Sequence, residues 1–268
     1  MTDIHSGFEN VDLASDIEAL FSFLDAANAL ESIQSYRQTL LTLCPPKAGD
    51  NILDIGCGLG QGTVELASKV GPTVSIVGID KSEALITEAQ RRSAAMPLAP
   101  TFQVGEAQQL PFADNSFDMC RMERALMYID SPGRVLDEMR RVLRPGGRVA
   151  LFEFDYDCIL VDSPHTNITR CLMDSVSSSI ASPWIGRQLP RLLGERGFGS
   201  LAMRPYIIAT PIEIFRNVVG GTIENSVRRG AHDSEAVEIW WRDLEQADRE
   251  GHFFAGFLGF IICAQLPD

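Results

Sequence analysis

The glycine-rich segment over residues 51–67, NILDIGCGLGQGTVELA, constrains the fold more than any other part of the chain. It predicts a short apolar strand over 51–55, a turn and then a helix. Glycine adopts backbone angles that other residues avoid and lets a ligand approach the main chain closely. The N-terminus of the helix presents free N–H groups and a positive dipole end to the turn, which predicts an anionic ligand group there. Asp54, at the end of the strand, adds a carboxylate, so the ligand is expected to carry both charges, as an amino acid does.

Strand-like and helical segments alternate after this turn. Apolar runs predict strands over 74–79, 101–104, 116–122, 148–154, 201–209 and 253–265, and periodic runs predict helices over 82–95, 131–143 and 187–196. The alternation predicts an α/β fold: a Rossmann-like, doubly wound, mostly parallel seven-stranded sheet. Ligands of such sheets bind beyond the carboxyl ends of the strands. Asp54, Asp80, Glu106 and the segment after Cys120 all lie at predicted strand ends.

The remaining helical segments predict a cap over this crevice. Residues 14–43 have helical periodicity and precede the first strand, so residues 1–47 are interpreted as an N-terminal helical lid. Residues 48–268 are interpreted as the ligand-binding domain. Helices predicted over 168–180 and 211–246 place cap insertions at about 155–185 and 211–250.

The glycine spacing excludes two common nucleotide sites. A dinucleotide fingerprint requires glycine or alanine at position 61, where this chain has Gln61, and no P-loop pattern occurs. The heptapeptide DIGCGLG at 54–60 instead resembles the first motif of class I S-adenosylmethionine-dependent methyltransferases. ERAL at 123–126 and the run DSPGRVLDEMRRVLRPGGRVALFEFD that follows at 130–155 are similar to small-molecule methyltransferases of the ubiquinone/menaquinone-biosynthesis type.

The resemblance implies S-adenosyl-L-methionine as cofactor and S-adenosyl-L-homocysteine as product. It places Asp80 at the two ribose hydroxyls, where a carboxylate forms a bidentate pair, and Glu106 with Ala107 at the adenine. Arg37, on the lid, is expected to pair with the ligand carboxylate. The other predicted cofactor positions are Asp54, Gly56, Cys57, Gly58, Gly60, Thr63, Lys81, Arg121, Met122 and Glu123.

The expected mechanism is in-line displacement at an already activated sulfonium methyl, in which the protein mainly orients the acceptor. Oriented proximity can lower such a barrier by ~7–11 kcal/mol. Many relatives carry histidine where this chain has Met127 and Tyr128, so an obvious general base is missing, and Tyr128 and Asp155 are the candidates. Aromatic side chains predict the substrate pocket, namely Tyr36, Tyr128, Tyr156, Trp184 and Phe215.

Charge and composition limit the kinds of molecule that this chain is expected to bind. The net charge of −13 argues against nucleic acid, whose phosphates would be repelled. No apolar run approaches the ~20 residues that span a bilayer, and the acidic N-terminus does not resemble a signal peptide. Scattered cysteines predict neither a metal site nor disulfides. We therefore expect a cytoplasmic monomer or homodimer with a small-molecule substrate. The atom methylated (O, N or C) stays open, as do two alternatives: a non-methylating reaction on the same fold, such as cyclisation, and methylation of a macromolecule.

Overall fold

The computed structural model describes residues 7, 8, 11–14, 16–97 and 99–268, so part of the predicted lid lies outside the described residues. Its strands form one seven-stranded sheet in the order β3-β2-β1-β4-β5-β7-β6. The strands are β1 (Asn51–Ile55), β2 (Ser75–Asp80), β3 (Thr101–Val104), β4 (Phe117–Glu123), β5 (Leu143–Val161), β6 (Gly199–Ala209) and β7 (Ala255–Gln265).

Strand direction confirms the predicted mostly parallel, doubly wound sheet. β1 lies parallel to β2 and β4, β2 to β3, and β4 to β5, whereas β7 runs antiparallel to β5 and β6. The carboxyl ends of β1 to β5 therefore meet at one edge of the sheet. This is the edge where ligands of such sheets bind.

Helices flank the sheet and connect its strands. They are α1 (Ile17–Asn28), α2 (Glu31–Leu43), α3 (Gln61–Lys69), α4 (Glu83–Ser93), α5 (Pro132–Val142), α6 (Thr166–Ser177), α7 (Ile185–Gly194), α8 (Ile212–Arg228) and α9 (Ser234–Arg249). The Ser82 hydroxyl accepts a hydrogen bond from the Leu85 N–H at the start of α4, which confirms the predicted cap. Short 3₁₀ helices cover Val11–Leu13 and Leu126–Tyr128.

Three predicted segments differ from the structure. The helical segment over 14–43 is two helices, because α1 ends at Asn28 and α2 begins at Glu31. The segment over 211–246 is likewise divided into α8 and α9, with Gly230 between them at a left-handed φ of +73°. β5 is longer than predicted, because it continues past the site to Val161 with an irregularity after Phe154.

Helix α2 packs against the half of the sheet that contains β5, β6 and β7. Tyr36 of α2 is fully buried and stacks on Phe152 of β5, with ring centroids 3.8 Å apart. Aromatic pairs of this kind stabilise a fold beyond the area that they bury. The N-terminal helices are therefore anchored to the middle of β5, beside the end of β4.

Candidate active site

A cavity of about 550 Å³ opens at the carboxyl edge of the sheet. One side is formed by the ends of β1 and β2 and the segment after β3, and the other by the ends of β4, β5, β6 and β7. Side chains from the N-terminal segment and from α8 complete the wall, namely Phe8, Val11, Phe23, Leu24, Ala27, Asn28, Ile214 and Val218. The cavity lies where the strand-end residues predicted a site.

The glycine turn has the backbone that its sequence requires. Gly56, Gly58 and Gly60 have φ values of +69°, +55° and +74°. A Cβ on Gly56 would lie 2.8 Å from Ala125 Cβ, and a Cβ on Gly60 would lie 2.7 Å from the Phe102 ring. Gly56 and Gly58 line the cavity, whereas Gly60 packs against the helix side and is absent from the wall. Gly60 therefore shapes the turn by packing, which corrects its predicted contact with the ligand.

Asp80 is held at the lip of the cavity beside the turn. Its Oδ2 accepts from the Gly58 N–H at 3.0 Å and its Oδ1 from the Ser82 N–H at 3.1 Å. Burial raises the pKa of the Asp80 carboxyl, while these backbone hydrogen bonds act in the opposite direction. Cys57, Lys81, Glu106 and Ala107 line the same side of the cavity.

Asp54 and Glu123 lie in a buried ionic network at the ends of β1 and β4. Arg121 donates to Asp54 Oδ2 at 2.9 Å and also pairs with Glu123. Burial alone would raise the pKa of Glu123, but the neighbouring Arg121 and Arg37 hold it well below its usual range. Met122, between these residues, also lines the cavity. The network places two carboxylates next to the glycine turn in fixed positions.

Arg37 is committed to this network. Its Nε donates to Glu123 at 2.9 Å, its Nη1 to Glu65 at 3.3 Å and its Nη2 to Asn28 at 2.8 Å. Each guanidinium nitrogen thus has a protein partner. Arg37 lines the cavity and is paired with Glu123 and Glu65. Its predicted contact with a ligand carboxylate stays a prediction, and it would require one of these pairs to open.

Thr63 also serves the network and not the cavity. Its hydroxyl donates to Asp54 Oδ2 at 2.6 Å, and its side chain is buried and lies outside the cavity wall. In this structure Thr63 positions Asp54, and its predicted contact with the ligand stays a prediction. A hydroxyl one helical turn into α3 can reach back to the end of β1, since the turn between them is tight.

Tyr128 and Tyr156 line the cavity together and hydrogen-bond to one another. Burial raises the pKa of both phenols above their ordinary value. A phenol with a raised pKa is protonated at neutral pH and donates a hydrogen bond. Tyr128 therefore lies where the pocket was predicted, and its role as a general base stays a prediction.

The other predicted pocket and base residues point elsewhere. Asp155 is buried outside the cavity wall, where it accepts from Arg187 Nη2 at 2.6 Å. Trp184 is 48% exposed beside the same arginine. Tyr36 donates to Glu123 at 2.7 Å, and Phe215 packs against Trp240 in the core. None of these four side chains lines the cavity within the described part of the chain.

Sequence reasoning missed several residues that the fold brings to the cavity. Arg124 follows β4 with φ +57°, and its Nη2 donates to Asn28 Oδ1 at 2.7 Å. Glu153 is fully buried behind the wall, and its Oε1 accepts from the N–H groups of Ala125 and Leu126 at 3.0 and 2.9 Å. An arginine placed directly after a strand was the only signal for the first. Glu153, inside an apolar strand, could have been noticed as a buried charge.

The described residues include neither a metal-binding cluster nor a membrane-spanning helix. No group of three or more histidine, cysteine, aspartate or glutamate side chains in this part of the chain is arranged to hold a metal ion. Its helices also include none with both the length and the apolar character needed to cross a membrane.

Known methyltransferases resemble this chain in sequence and in fold. A family model described as a methyltransferase domain matches residues 46–184. An uncharacterized 37.1 kDa protein from transposon TN4556 of Streptomyces fradiae is 32% identical over 248 residues, which are 91% of this chain and 70% of that protein.

One further sequence relative and one solved structure carry the names of enzymes. Demethylmenaquinone methyltransferase of Symbiobacterium thermophilum is 42% identical over 109 residues, which are 40% of this chain and 43% of the relative, so the match spans less than half of that enzyme. The solved structure of phosphoethanolamine N-methyltransferase 2 from Haemonchus contortus, in complex with S-adenosyl-L-methionine, has a TM-score of 0.62 at 16% identity. That match includes 100% of this chain and 61% of the other, and shows the shared fold.

Proposed function

The chain belongs to the class I S-adenosylmethionine-dependent methyltransferases, and we propose that it methylates a small molecule bound over the ends of β4, β5 and β7. The cofactor would occupy the other side of the cavity, over β1, β2 and β3. This division follows from the walls. Carboxylates and glycine backbone dominate the first side, and aromatic and aliphatic side chains dominate the second.

The residues on the cofactor side fit the chemistry of S-adenosylmethionine. The Asp80 carboxylate would accept from the two ribose hydroxyls, and Glu106 with the Ala107 N–H would hold the adenine edge. Gly56 and Gly58 leave the turn without side chains where the methionyl part approaches. Asp54 and Glu123 supply negative charge near the amino group. Cys57, Lys81, Met122 and Arg121 complete the proposed contacts.

The acceptor side supports an apolar substrate. Phe154, Tyr156 and Phe257 form a mutually packed aromatic group on β5 and β7, with ring centroids about 6 Å apart. Ile208, Ile214 and Val218 extend this wall. Such pockets bind mostly through apolar contact and use a few polar groups for orientation.

The N-terminal segment is proposed to close the cavity as a lid. Asp12 contacts the start of α4, where it accepts from the Glu83 and Ala84 N–H groups at 3.0 and 3.1 Å. Phe8 packs on Tyr128, with ring centroids 5.7 Å apart. These contacts run from the cofactor side to the acceptor side, so the lid would exclude water from both ligands.

Catalysis is proposed to rest on positioning. When bound, S-adenosylmethionine supplies a methyl group already activated by the sulfonium charge. The protein then has to hold the acceptor in line and exclude water, which can account for ~7–11 kcal/mol of barrier reduction. The protonated phenols of Tyr128 and Tyr156 orient the acceptor by hydrogen bonding and do not remove its proton. Acceptors that ionise readily are therefore favoured.

The position of Asp80 beside the Gly58 N–H carries this proposal, and its replacement tests it. We expect the wild-type protein to bind S-adenosylmethionine in calorimetry, and Asp80→Ala to bind it at least about tenfold more weakly, since a bidentate charged contact is lost. Asp114→Ala is the matched control, because that side chain is 68% exposed on the surface. Unchanged affinity in Asp80→Ala would overturn the ribose assignment.

Assembly and location complete the proposal. We propose a monomer or homodimer that acts in the cytoplasm without nucleic acid or membrane partners. The net charge of −13 supports the exclusion of nucleic acid, because its phosphates would be repelled. Light scattering after size-exclusion chromatography measures the oligomeric state. Retention on duplex DNA at physiological salt would contradict the exclusion of nucleic acid.

A further inference from the structure

Two polar atoms on side chains that line the cavity are buried and have no hydrogen-bond partner within the described residues. They are Arg124 Nε and Thr210 Oγ1. Buried polar groups in folded proteins are paired in the great majority of cases, so each exception requires an explanation. The other atoms of this kind in the described part of the chain belong to side chains outside the cavity wall.

Arg124 differs from the other arginines of the site. Arg37 and Arg121 are both paired with Glu123. Arg124 donates only to the neutral Asn28 amide oxygen, at 2.7 Å, and forms no ion pair with any described residue. Its positive charge acts on the buried carboxyls of Glu123 and Glu153, whose pKa values it lowers, but neither carboxylate forms a salt bridge with it. A left-handed φ of +57° is uncommon for arginine and is typical of residues held for function.

The charge of Arg124 faces the acceptor side. Arg124 directly follows the end of β4, which belongs to that side, and it lines the cavity. Its charge lowers the pKa values of the Tyr128 and Tyr156 phenols against the larger effect of burial, as it does for Tyr36 and Glu123. Tyr128 lies in the short helix that follows β4, and Tyr156 lies on β5. Thr210 lies on the same side, between β6 and α8 and next to the apolar wall at Ile208.

We propose that Arg124 and Thr210 form the polar ends of the acceptor subsite. Arg124 binds an anionic oxygen of the acceptor, such as a carboxylate, phenolate or enolate, and the Thr210 hydroxyl binds a second polar group across an apolar body. This assignment rests on the proposed function and names its substrate class. A cationic amine is disfavoured, because its charge would lie beside the guanidinium.

The test uses three probes that share one apolar body: 1-naphthoate, 4-hydroxy-1-naphthoate and 1-naphthylmethylamine. Each is titrated into wild-type protein saturated with S-adenosylhomocysteine. We expect 1-naphthoate to bind about tenfold more tightly than the amine, and Arg124→Gln to abolish this preference. Arg191→Gln, at a 61% exposed side chain, is the control and keeps it. Thr210→Val keeps the side-chain shape, and should weaken 4-hydroxy-1-naphthoate while leaving 1-naphthoate unchanged.

Several results would overturn the inference. One is equal affinity for the acid and the amine, or no binding of 1-naphthoate at about 1 mM. Another is a preference for the acid that survives in Arg124→Gln with its urea midpoint unchanged. A third is weaker binding of S-adenosylhomocysteine, but not of 5′-methylthioadenosine, by Arg124→Gln, because the anion would then be the carboxylate of the cofactor. Failure of wild-type protein to bind S-adenosylhomocysteine would instead reject the proposed function.

Discussion

Asp54 and Arg121 are opposite one another in the parallel pair β1 and β4, and Arg121 Nη1 donates to Asp54 Oδ2 at 2.9 Å. Both side chains are less than a tenth exposed. The same guanidinium pairs with Glu123, two residues further along β4 and on the same face. One arginine therefore bridges two buried carboxylates at the point where the strands end.

This relationship predicts a large loss of stability in Arg121→Met. The change leaves Asp54 without its ion-pair partner in a buried position, and breaking a buried pair in this way costs about 3–5 kcal/mol. The free energy of unfolding in urea measures it. Arg91→Met removes a surface pair with Glu88 and should leave the midpoint unchanged. A loss below about 1 kcal/mol in Arg121→Met would show that the network relaxes around the change.

Gly186 lies where α7 packs closely on β5, so a side chain at this position should destabilise the fold. A Cβ there would lie 2.9 Å from the Phe154 carbonyl oxygen and 3.0 Å from that of Glu153, so α7 would have to move from β5. We expect Gly186→Ala to destabilise the fold by about 1–3 kcal/mol in urea unfolding.

The control lies in the same helix. Gly194, at the end of α7, has open space around its Cβ position. Gly194→Ala should leave stability equal or slightly higher, because alanine favours helix by up to about 1 kcal/mol. Equal stability of the two variants would contradict the close contact between α7 and β5.

Glu153 predicts a pH dependence of stability. Burial raises the pKa of its carboxyl from 4.5 to about 7, although the N–H groups of Leu126 and Ala125 act in the opposite direction. Between these values the folded state binds more protons than the unfolded state, so the contribution to stability falls as pH rises. It is fully present below pH 4.5 and lost as pH rises through about 7.

Glu153→Gln removes this titration while keeping an acceptor for both N–H groups. Relative to wild type, the variant should gain about 2–3 kcal/mol in unfolding free energy between pH 5 and 8. Urea unfolding at four pH values measures the difference. Glu195→Gln, at a half-exposed side chain, gives the background pH dependence. Parallel curves for wild type and Glu153→Gln would contradict a raised pKa at Glu153.

The local sequence pattern was sufficient to predict the central elements of the fold. The strand, glycine turn and helix over 51–67, the ends of the next strands and the mostly parallel sheet all agree with the structure. Hydrophobic period and glycine positions are properties of neighbouring residues, so they can be read without tertiary contacts. The same holds for Asp54, Asp80 and Glu106, because parallel strands bring their carboxyl ends to one edge.

Side chains on helices and in the cap could not be assigned in this way. Tyr36 and Phe215 were predicted in the pocket from their chemistry, but rotation of α2 and α8 against the sheet turns both into the core. Asp155 lies at the expected strand, yet strand alternation and Arg187 carry it away from the cavity.

The sequence by itself determined the sheet, the glycine turn and the positions of the carboxylates at the strand ends. Each of these depends on short-range pattern and on the fixed geometry of parallel strands. Only the tertiary structure decided which arginine is free to act. Arg37, Arg121 and Arg124 have the same chemistry in the sequence. Glu65, Glu123 and Asp54 form salt bridges with the first two, whereas Arg124 has no salt-bridge partner among the described residues.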